Sequence, residues 1–537
     1  MSIIKKNRRK LTQNCHCFNS ASRLPIDRVL PLLLTIWDFP EPHIVLTSLS
    51  DRAGFLVAAN LIKYAVGFIM PMVLVRLLSQ SEYGSYQQMI LIGGAAIGVL
   101  TLGLPTSVYY FYHHVERQRV AALVAQTTLL LCVAGLLASL LVFSGARHFA
   151  ASLNNPALAT LLPLYAVGLA LTIGSEHCLH VMISQDRYGL AVLFEIIETV
   201  VRVLTLLLPL WLGYGLTGLV AGVVLYAALR FLVRNGYLLR RGGLDFAGWR
   251  GRAFARRQLA YCLPVALVSL STLVGATFNR AILAMSFSPA QYAVYAVGAL
   301  EIPLDVIFQA SVANVLRASL PPLVRDGNLV EVVRILREAT RKLSIIVLPS
   351  FVFLFCHSAQ FIQVLFTSSY EDSVHVFRLY LWLMPLHMLV LSTVPHVFGM
   401  PKLNLYIALA TMTLLLVLGY ALLKTVGFYG PAIAMLLAEY VQTALYLLVV
   451  TRLTKASLAR LLPLRHIALV GLAALLAALV STRAGHLTPS ALLNLVLAGA
   501  VFSVTFFLAA IPLGVFSRDD VRLIRRWAAK VLPIAPG

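Results

Sequence analysis

The sequence predicts an all-α polytopic membrane protein of about fourteen transmembrane helices. Three observations predict it. Of 537 residues, 60% are hydrophobic and 12% are charged, against about half and about a quarter in a soluble domain. The apolar residues fall in long runs bounded by charges and turn residues, each near the ~20 residues a helix needs to cross hydrocarbon. The basic residues, which raise the formal net charge to +22, lie almost wholly in alternate loops. That balance reports membrane orientation rather than nucleic-acid binding. Six cysteines are too few for a disulfide scaffold.

The runs are roughly 54–78, 86–111, 119–143, 158–182, 190–212, 216–237, 261–285, 291–316, 343–366, 374–398, 403–423, 432–451, 466–482 and 491–516. They leave short loops and tails, with no room for a separate soluble catalytic domain. An even count puts both termini on one side. With the N-terminus in the cytoplasm, about 33 Lys and Arg fall in cytoplasmic segments and about three outside, at Arg147, Lys424 and Arg483. One missed span would invert every later loop, so the asymmetry also supports the count.

Residues 1–53 stand apart. They carry a basic run, Lys5, Lys6, Arg8, Arg9 and Lys10, then a short apolar stretch from Val29 to Trp37 broken by Pro31. That stretch is too short to span and lacks an A-x-A-like cleavage site, so the segment reads as a disordered or interfacial cytoplasmic tail. Cys15-His16-Cys17 has the residue types of half a metal site, but no second ligand pair is nearby, and no metal or cofactor is expected. Residues 238–260 read as a basic cytoplasmic linker and 517–537 as a basic cytoplasmic tail.

The chain repeats itself. Glu82-Tyr83-Gly84-Ser85-Tyr86 after span 1 matches Gln291-Tyr292-Ala293-Val294-Tyr295 after span 7. Tyr214-Gly215 before span 6 matches Tyr429-Gly430 before span 12. Both offsets are six spans long, which suggests a duplicated six-helix unit, 54–237 and 261–451, followed by spans 13 and 14 (452–516). Six is even, so the copies are parallel.

"VRLLSQSEYGSYQQ" (Val75 to Gln88) resembles the first-loop pattern of the polysaccharide flippases, the Wzx-like branch of the multidrug/oligosaccharidyl-lipid/polysaccharide exporter superfamily. The stretch from Ser319 to Ser373, with "ILREATRKLSIIVLPSFVFLF", resembles that family's 8–9 loop and ninth span. "FGMPKLNLYIAL" resembles its 10–11 loop, and "KTVGFYGPAIAMLLAEYV" the start of its twelfth span. The chain departs from the pattern at Asn279, where Asp often precedes the Arg, and at Ala293, where Gly is usual. The resemblance implies two parallel six-helix lobes around a central cavity, plus the two C-terminal helices. It further implies a transporter of a lipid-linked oligosaccharide, joined to its lipid by a diphosphate, in the bacterial cytoplasmic membrane.

Ionisable groups at mid-bilayer cost at least ~2.5–3.5 kcal/mol on insertion scales, so they should face a bundle interior or a wet cavity. Lys63 falls near mid-span 1, Arg202 at the centre of span 5, and Arg280 toward the outer end of span 7. These are the candidate substrate-binding cations. Lys63 has no acidic neighbour one turn away, so its partner should lie on another helix or on substrate. Glu195 and Glu198 share a face with Arg202. The pair Glu198 and Arg202, four apart, can be an internal ion pair or cavity lining. Glu301 and Asp305 are a like-charge pair at the same spacing, strained unless a cation or a shared proton neutralises it. Glu195, Glu198, Glu301, Asp305 and, on span 12, Glu439 are the five candidates for a coupling proton or sodium ion. Arg76, Arg230, Arg234 and Arg378 sit near span ends and read as snorkelling anchors. Glu176, His177 and His180 read as an interfacial polar edge rather than a metal site.

A drug or small-cation exporter of the same superfamily is the alternative, and would favour an anionic or aromatic cavity. A polysaccharide polymerase or ligase is the more distant one. It usually needs a large outer loop, and the longest outer loop here runs only from Ser144 to Ala157. No Walker A, HExxH, GxSxG or DxD motif occurs. The charge asymmetry predicts that both termini, Arg256 and Lys342 are cytoplasmic and that Ser81, Ser152 and Ser369 face outward. Single cysteines at these sites, labelled in intact cells with an impermeant thiol reagent, check this. Labelling at the Arg256 position from outside would overturn the count.

Overall fold

The protein is described from a computed structural model, which covers residues 49–240, 244–245, 252–484 and 490–517. The chain divides at Arg52 into two units. Of the first, only the opening of one helix is described. The N-terminal basic run, Val29–Trp37, Cys15-His16-Cys17 and residues 518–537 lie outside the described residues.

The described residues form helices joined by short turns, with no strand among them. The first half comprises α1 (Leu49–Leu77), α2 (Gln80–Leu100), α3 (Leu104–His114), α4 (Val120–Ser144), α5 (Ala146–Ser152), α6 (Leu158–Gly174), α7 (Cys178–Ser184), α8 (Tyr188–Trp211) and α9 (Gly215–Arg240). The second comprises α10 (Arg252–Ser286), α11 (Pro289–Gly298), α12 (Pro303–Arg325), α13 (Leu329–Cys356), α14 (Ser358–Phe366), α15 (Ser373–Leu381), α16 (Met384–His387), α17 (Thr393–Val397), α18 (Pro401–Val426) and α19 (Gly430–Thr454). Three more follow, α20 (Leu458–Leu461), α21 (Leu464–Ala484) and α22 (Ala491–Ala510).

Each expected span coincides with one helix or with one broken helix. Spans 2, 4, 8, 9 and 10 are the broken ones. In span 2 the chain turns at Leu102 and Gly103, both at positive φ, and Pro105 opens α3. In span 8 it turns at residues 299–302, and Pro303 opens α12. Such irregular backbone is tolerated at membrane depth only where it is buried in protein or lines a wet cavity. Eight stretches among the described residues are long and apolar enough to cross a membrane. They contain nine of the expected spans. The other five carry Lys63, the Glu195–Arg202 cluster, Arg280, Glu301 with Asp305, and Arg378. The full count of fourteen rests on the sequence. The expected 238–260 linker is shorter than predicted, because α10 already begins at Arg252.

The duplication has a structural counterpart. α2 and α11 both open with a capping box, Ser79 with Glu82 and Ser288 with Gln291, at the offset of the sequence repeat. Each serine accepts the backbone N–H three residues on, and the acidic or amide side chain returns the bond. The copies then diverge. α2 runs 21 residues before its break and α11 only 10.

The loops expected outside gather at one end. Arg76 donates to the carbonyls of Val364 and Leu365 at 2.7 Å, and Gln80 donates to the Ser369 carbonyl. Asn154 donates to the Met285 carbonyl at 2.8 Å, and Phe287 meets Phe428 edge to face at 5.3 Å. At the opposite end Gln258 on α10 bonds Ser107, Gln126 and Thr127. Arg337 there holds the carbonyls of Ala459, Arg460 and Leu462. The halves therefore touch at both ends with space between. α21 and α22 form a hairpin against α13, built on Ala473, Ala474, Ala477, Phe502 and Phe506.

α2 and α11 cross at Gly84, where a Cβ would overlap the backbone carbonyl of Pro289. Ala293, its repeat equivalent, is fully buried and accommodates its methyl. Gly84→Ala should cost about 1–3 kcal/mol by overpacking and lower the melting temperature in detergent. Gly471→Ala, at a helical glycine with open space, should not.

Candidate functional site

Between the halves lies one cavity, and a second adjoins it within the first half; together they form a continuous cleft. The first, about 610 Å³, is lined by Lys63, Arg280, Glu301, Tyr292 and Tyr295 among others. The second, about 720 Å³, is lined by Lys63, Glu195, Glu198, Arg202, Tyr86 and Tyr165 among others. They share Lys63, Tyr83, Gln87 and Gly94. Six of the eight candidate residues thus face one cleft, and Lys63 and Arg280 come from equivalent spans of the two repeats.

Most of its charges are paired. Lys63 Nζ lies 3.1 Å from Glu195 Oε2, so its partner is on another helix. Arg234 holds Glu198 with a fork at 2.7 and 2.6 Å. Arg230 holds Glu176 at 3.0 Å and lies 3.8 Å from Glu198. Gly222 brings α9 against the Thr205 carbonyl of α8, close enough for these side chains to meet. Arg234 also donates to the Ser175 carbonyl at 3.1 Å, a group freed where span 4 breaks.

Several expectations are corrected here. Glu198 pairs with Arg234, not with Arg202, because α9 offers a second helix with a better-placed fork. Arg234 is 2% exposed and is no snorkelling anchor. Arg230 is mostly buried as well, and Arg76 caps the last turn of α14. Arg378 bonds Ser358 Oγ at 2.7 Å and sits over the Phe355 ring. Glu176, His177 and His180 form no polar edge. His177 is fully buried against Thr128 Oγ at 2.8 Å, and His180 packs beside Tyr109. Glu301 and Asp305 are not a pair either. Glu301 lies in the break and faces the cleft. Asp305 starts α12, bonds His387 and lines a separate apolar cavity of about 480 Å³. Glu439 lines a fourth cavity of about 740 Å³ within the second half, with Arg317, His396, Lys402 and Gln442.

Arg202, Arg280 and Glu301 have no ion-pair partner among the described residues. Arg202 lies beside the hydroxyl of Tyr86, and Arg280 is near those of Tyr292, Tyr295 and Tyr380. Asn279, the departure from the family pattern, is buried and donates to the Pro431 carbonyl at 3.0 Å. Sequence reasoning missed the tyrosines as lining, although Tyr83, Tyr86, Tyr292 and Tyr295 are the residues that mark the repeat. It also missed Arg230 and Arg234 as partners. Their four-residue spacing on span 6 faces the acidic pair of span 5.

A family model described as "Polysaccharide biosynthesis protein" matches residues 49–322, half of the chain. The chain belongs to this family. A search of curated proteins by sequence finds no match. Solved structures are similar in fold. A lipid II flippase MurJ in an inward closed conformation has a TM-score of 0.66 at 14% identity, covering 85% of this chain and 99% of that one. An inward-facing multidrug resistance MATE family transporter has 0.57 at 13% identity, covering 73% and 95%. An outward-facing one has 0.50 at 12%, covering 76% and 94%. Family and fold together place the chain in the MOP superfamily as a two-lobed membrane transporter.

The Arg234 fork generates a prediction about this member of the polysaccharide biosynthesis family. Arg234→Ala leaves the mostly buried Glu198 with only the more distant Arg230 to balance it, and breaking a buried pair typically costs about 3–5 kcal/mol. Folded protein recovered in detergent should drop sharply. Arg234→Lys should recover only part, since an ammonium cannot span both Glu198 oxygens and the Ser175 carbonyl.

Proposed function

We propose that this transporter moves a lipid-linked oligosaccharide or polysaccharide repeat unit across the bacterial cytoplasmic membrane by alternating access. The unit is joined to its lipid through a diphosphate, both termini of the protein are cytoplasmic, and the cleft is the headgroup site. One observation carries the reading. Among the described residues, every other Lys or Arg lining the cleft is engaged by a carboxylate, whereas Arg202 and Arg280 face it without one. A guanidinium is kept at membrane depth by water or by a ligand, and its planar fork matches phosphate oxygens. Lys63 adds a third, exchangeable cation. Tyr64, about half exposed on the wall of the first cavity, offers a flat face and a hydroxyl suited to a sugar. Asp305 with His387, and Glu439 in its own cavity, lie off the cleft, where a coupling proton or sodium ion acts without touching substrate.

A cation exporter is the second reading. Glu301, unpaired among aromatic residues, favours it. The two readings separate by experiment. Loss of the protein should halt assembly of a surface glycan and leave lipid-linked units on the inner leaflet. Lys63→Ala, Arg202→Ala and Arg280→Ala should each reduce transport per molecule roughly tenfold to a hundredfold, from one charge-assisted contact of about 1.5–3 kcal/mol. Exchanges between Lys and Arg should retain part of it. A deletion strain without a second flippase that makes normal glycan, and becomes sensitive to cationic drugs, overturns the flippase in favour of the exporter.

A further inference from the structure

Lys63 and Glu195 form an unusual pair for this cleft, because one partner is exposed and the other has somewhere else to go. The Lys63 side chain is 59% exposed and reaches both cavities. Its neighbours on α1 are open as well, with Tyr64 and Ile69 about half exposed. Among the described side chains of residues 62–69, the bond to Glu195 is the only polar tie to another helix. Glu195 stands between two cations. Its Oε2 holds Lys63, while its Oε1 is 4.0 Å from Nη2 of the buried Arg234. Close by, the buried Arg230 Nε lacks a hydrogen-bond acceptor. A carboxylate released by Lys63 therefore meets existing donors after a small side-chain movement, and no lone charge is left behind.

We propose that Glu195 is a place-holding anion, which occupies Lys63 in the empty cleft and yields it to a phosphate of the incoming ligand while shifting toward Arg234. The inference rests on the anionic-ligand reading above. It gives Glu195 a role distinct from carrying a coupling ion. The exchange tempers affinity, since each phosphate contact with Lys63 displaces an existing one. It also makes the tie between α1 and α8 differ between empty and loaded states, and a ligand needs such a difference to shift a conformational equilibrium.

The test uses the purified full chain and farnesyl diphosphate as the probe. Glu195→Gln and Glu195→Ala should each bind the probe roughly three- to tenfold more tightly than the unaltered protein. The gain should vanish in the double variant Glu195→Gln/Lys63→Ala. Transport by Glu195→Gln should show a lower KM together with a lower kcat, a split that simple loss of structure does not produce. Two variants are used so that misfolding of one leaves the question answerable by the other. If Lys63→Ala weakens probe binding and neither Glu195 variant tightens it, the place-holder role is wrong and the anionic-ligand reading stands. If the unaltered protein does not bind the probe, the anionic-ligand reading itself fails, and this inference with it.

Discussion

A charge taken into a bilayer needs either a partner or water, and the interior of this protein is arranged around that demand. The fork between Arg234 and Glu198 shows the first solution, buried and geometrically complete. Arg202 and Arg280 show the second, standing in a cleft instead of in hydrocarbon. The two solutions depend on each other. Because Arg230, Arg234 and Lys63 absorb the carboxylates of spans 4 and 5, the remaining guanidiniums are not quenched. Helix packing follows the same logic. Gly222 lets α8 and α9 approach closely, and the break in span 4 presents the Ser175 carbonyl to a side chain that can use it.

The fold was largely legible in the sequence, since a membrane leaves few options. Long apolar runs, one-sided charge and a six-span repeat each survive ignorance of packing detail. The position of Lys63 and its need for a partner on another helix were legible for the same reason. The partners themselves were less so. Glu198 and Arg202 are well spaced to pair along a helix, but which face α9 turns toward α8 is a tertiary matter. Glu301 and Asp305 are four residues apart in sequence, and only a break at 299–302 separates them into different cavities. Ala299 and Leu300 give no turn signal, and Pro303 marks a helix start only once the break is known. Arg378 looked like an interfacial anchor because depth can be estimated from sequence and its Ser358 and Phe355 neighbours cannot.

The duplicated unit also explains which parts were hard to read. The two capping boxes are equivalent because they answer a local need, satisfying the first N–H groups of a helix. Beyond the first turns, what each copy packs against differs, and so does its course. Gly84 accommodates the Pro289 backbone carbonyl where its repeat equivalent, Ala293, buries a methyl.

The unequal breaks have a consequence for direction. Two identical walls facing each other would offer a bound molecule with distinct ends two equivalent ways to lie. Here one wall is a continuous helix through Gly94, and the other opens after Gly298 into a loop bearing Glu301. That difference removes the degeneracy. On the proposed reading, a guest with a charged head and a greasy tail meets a cleft with a left and a right, and the cleft itself selects its polarity.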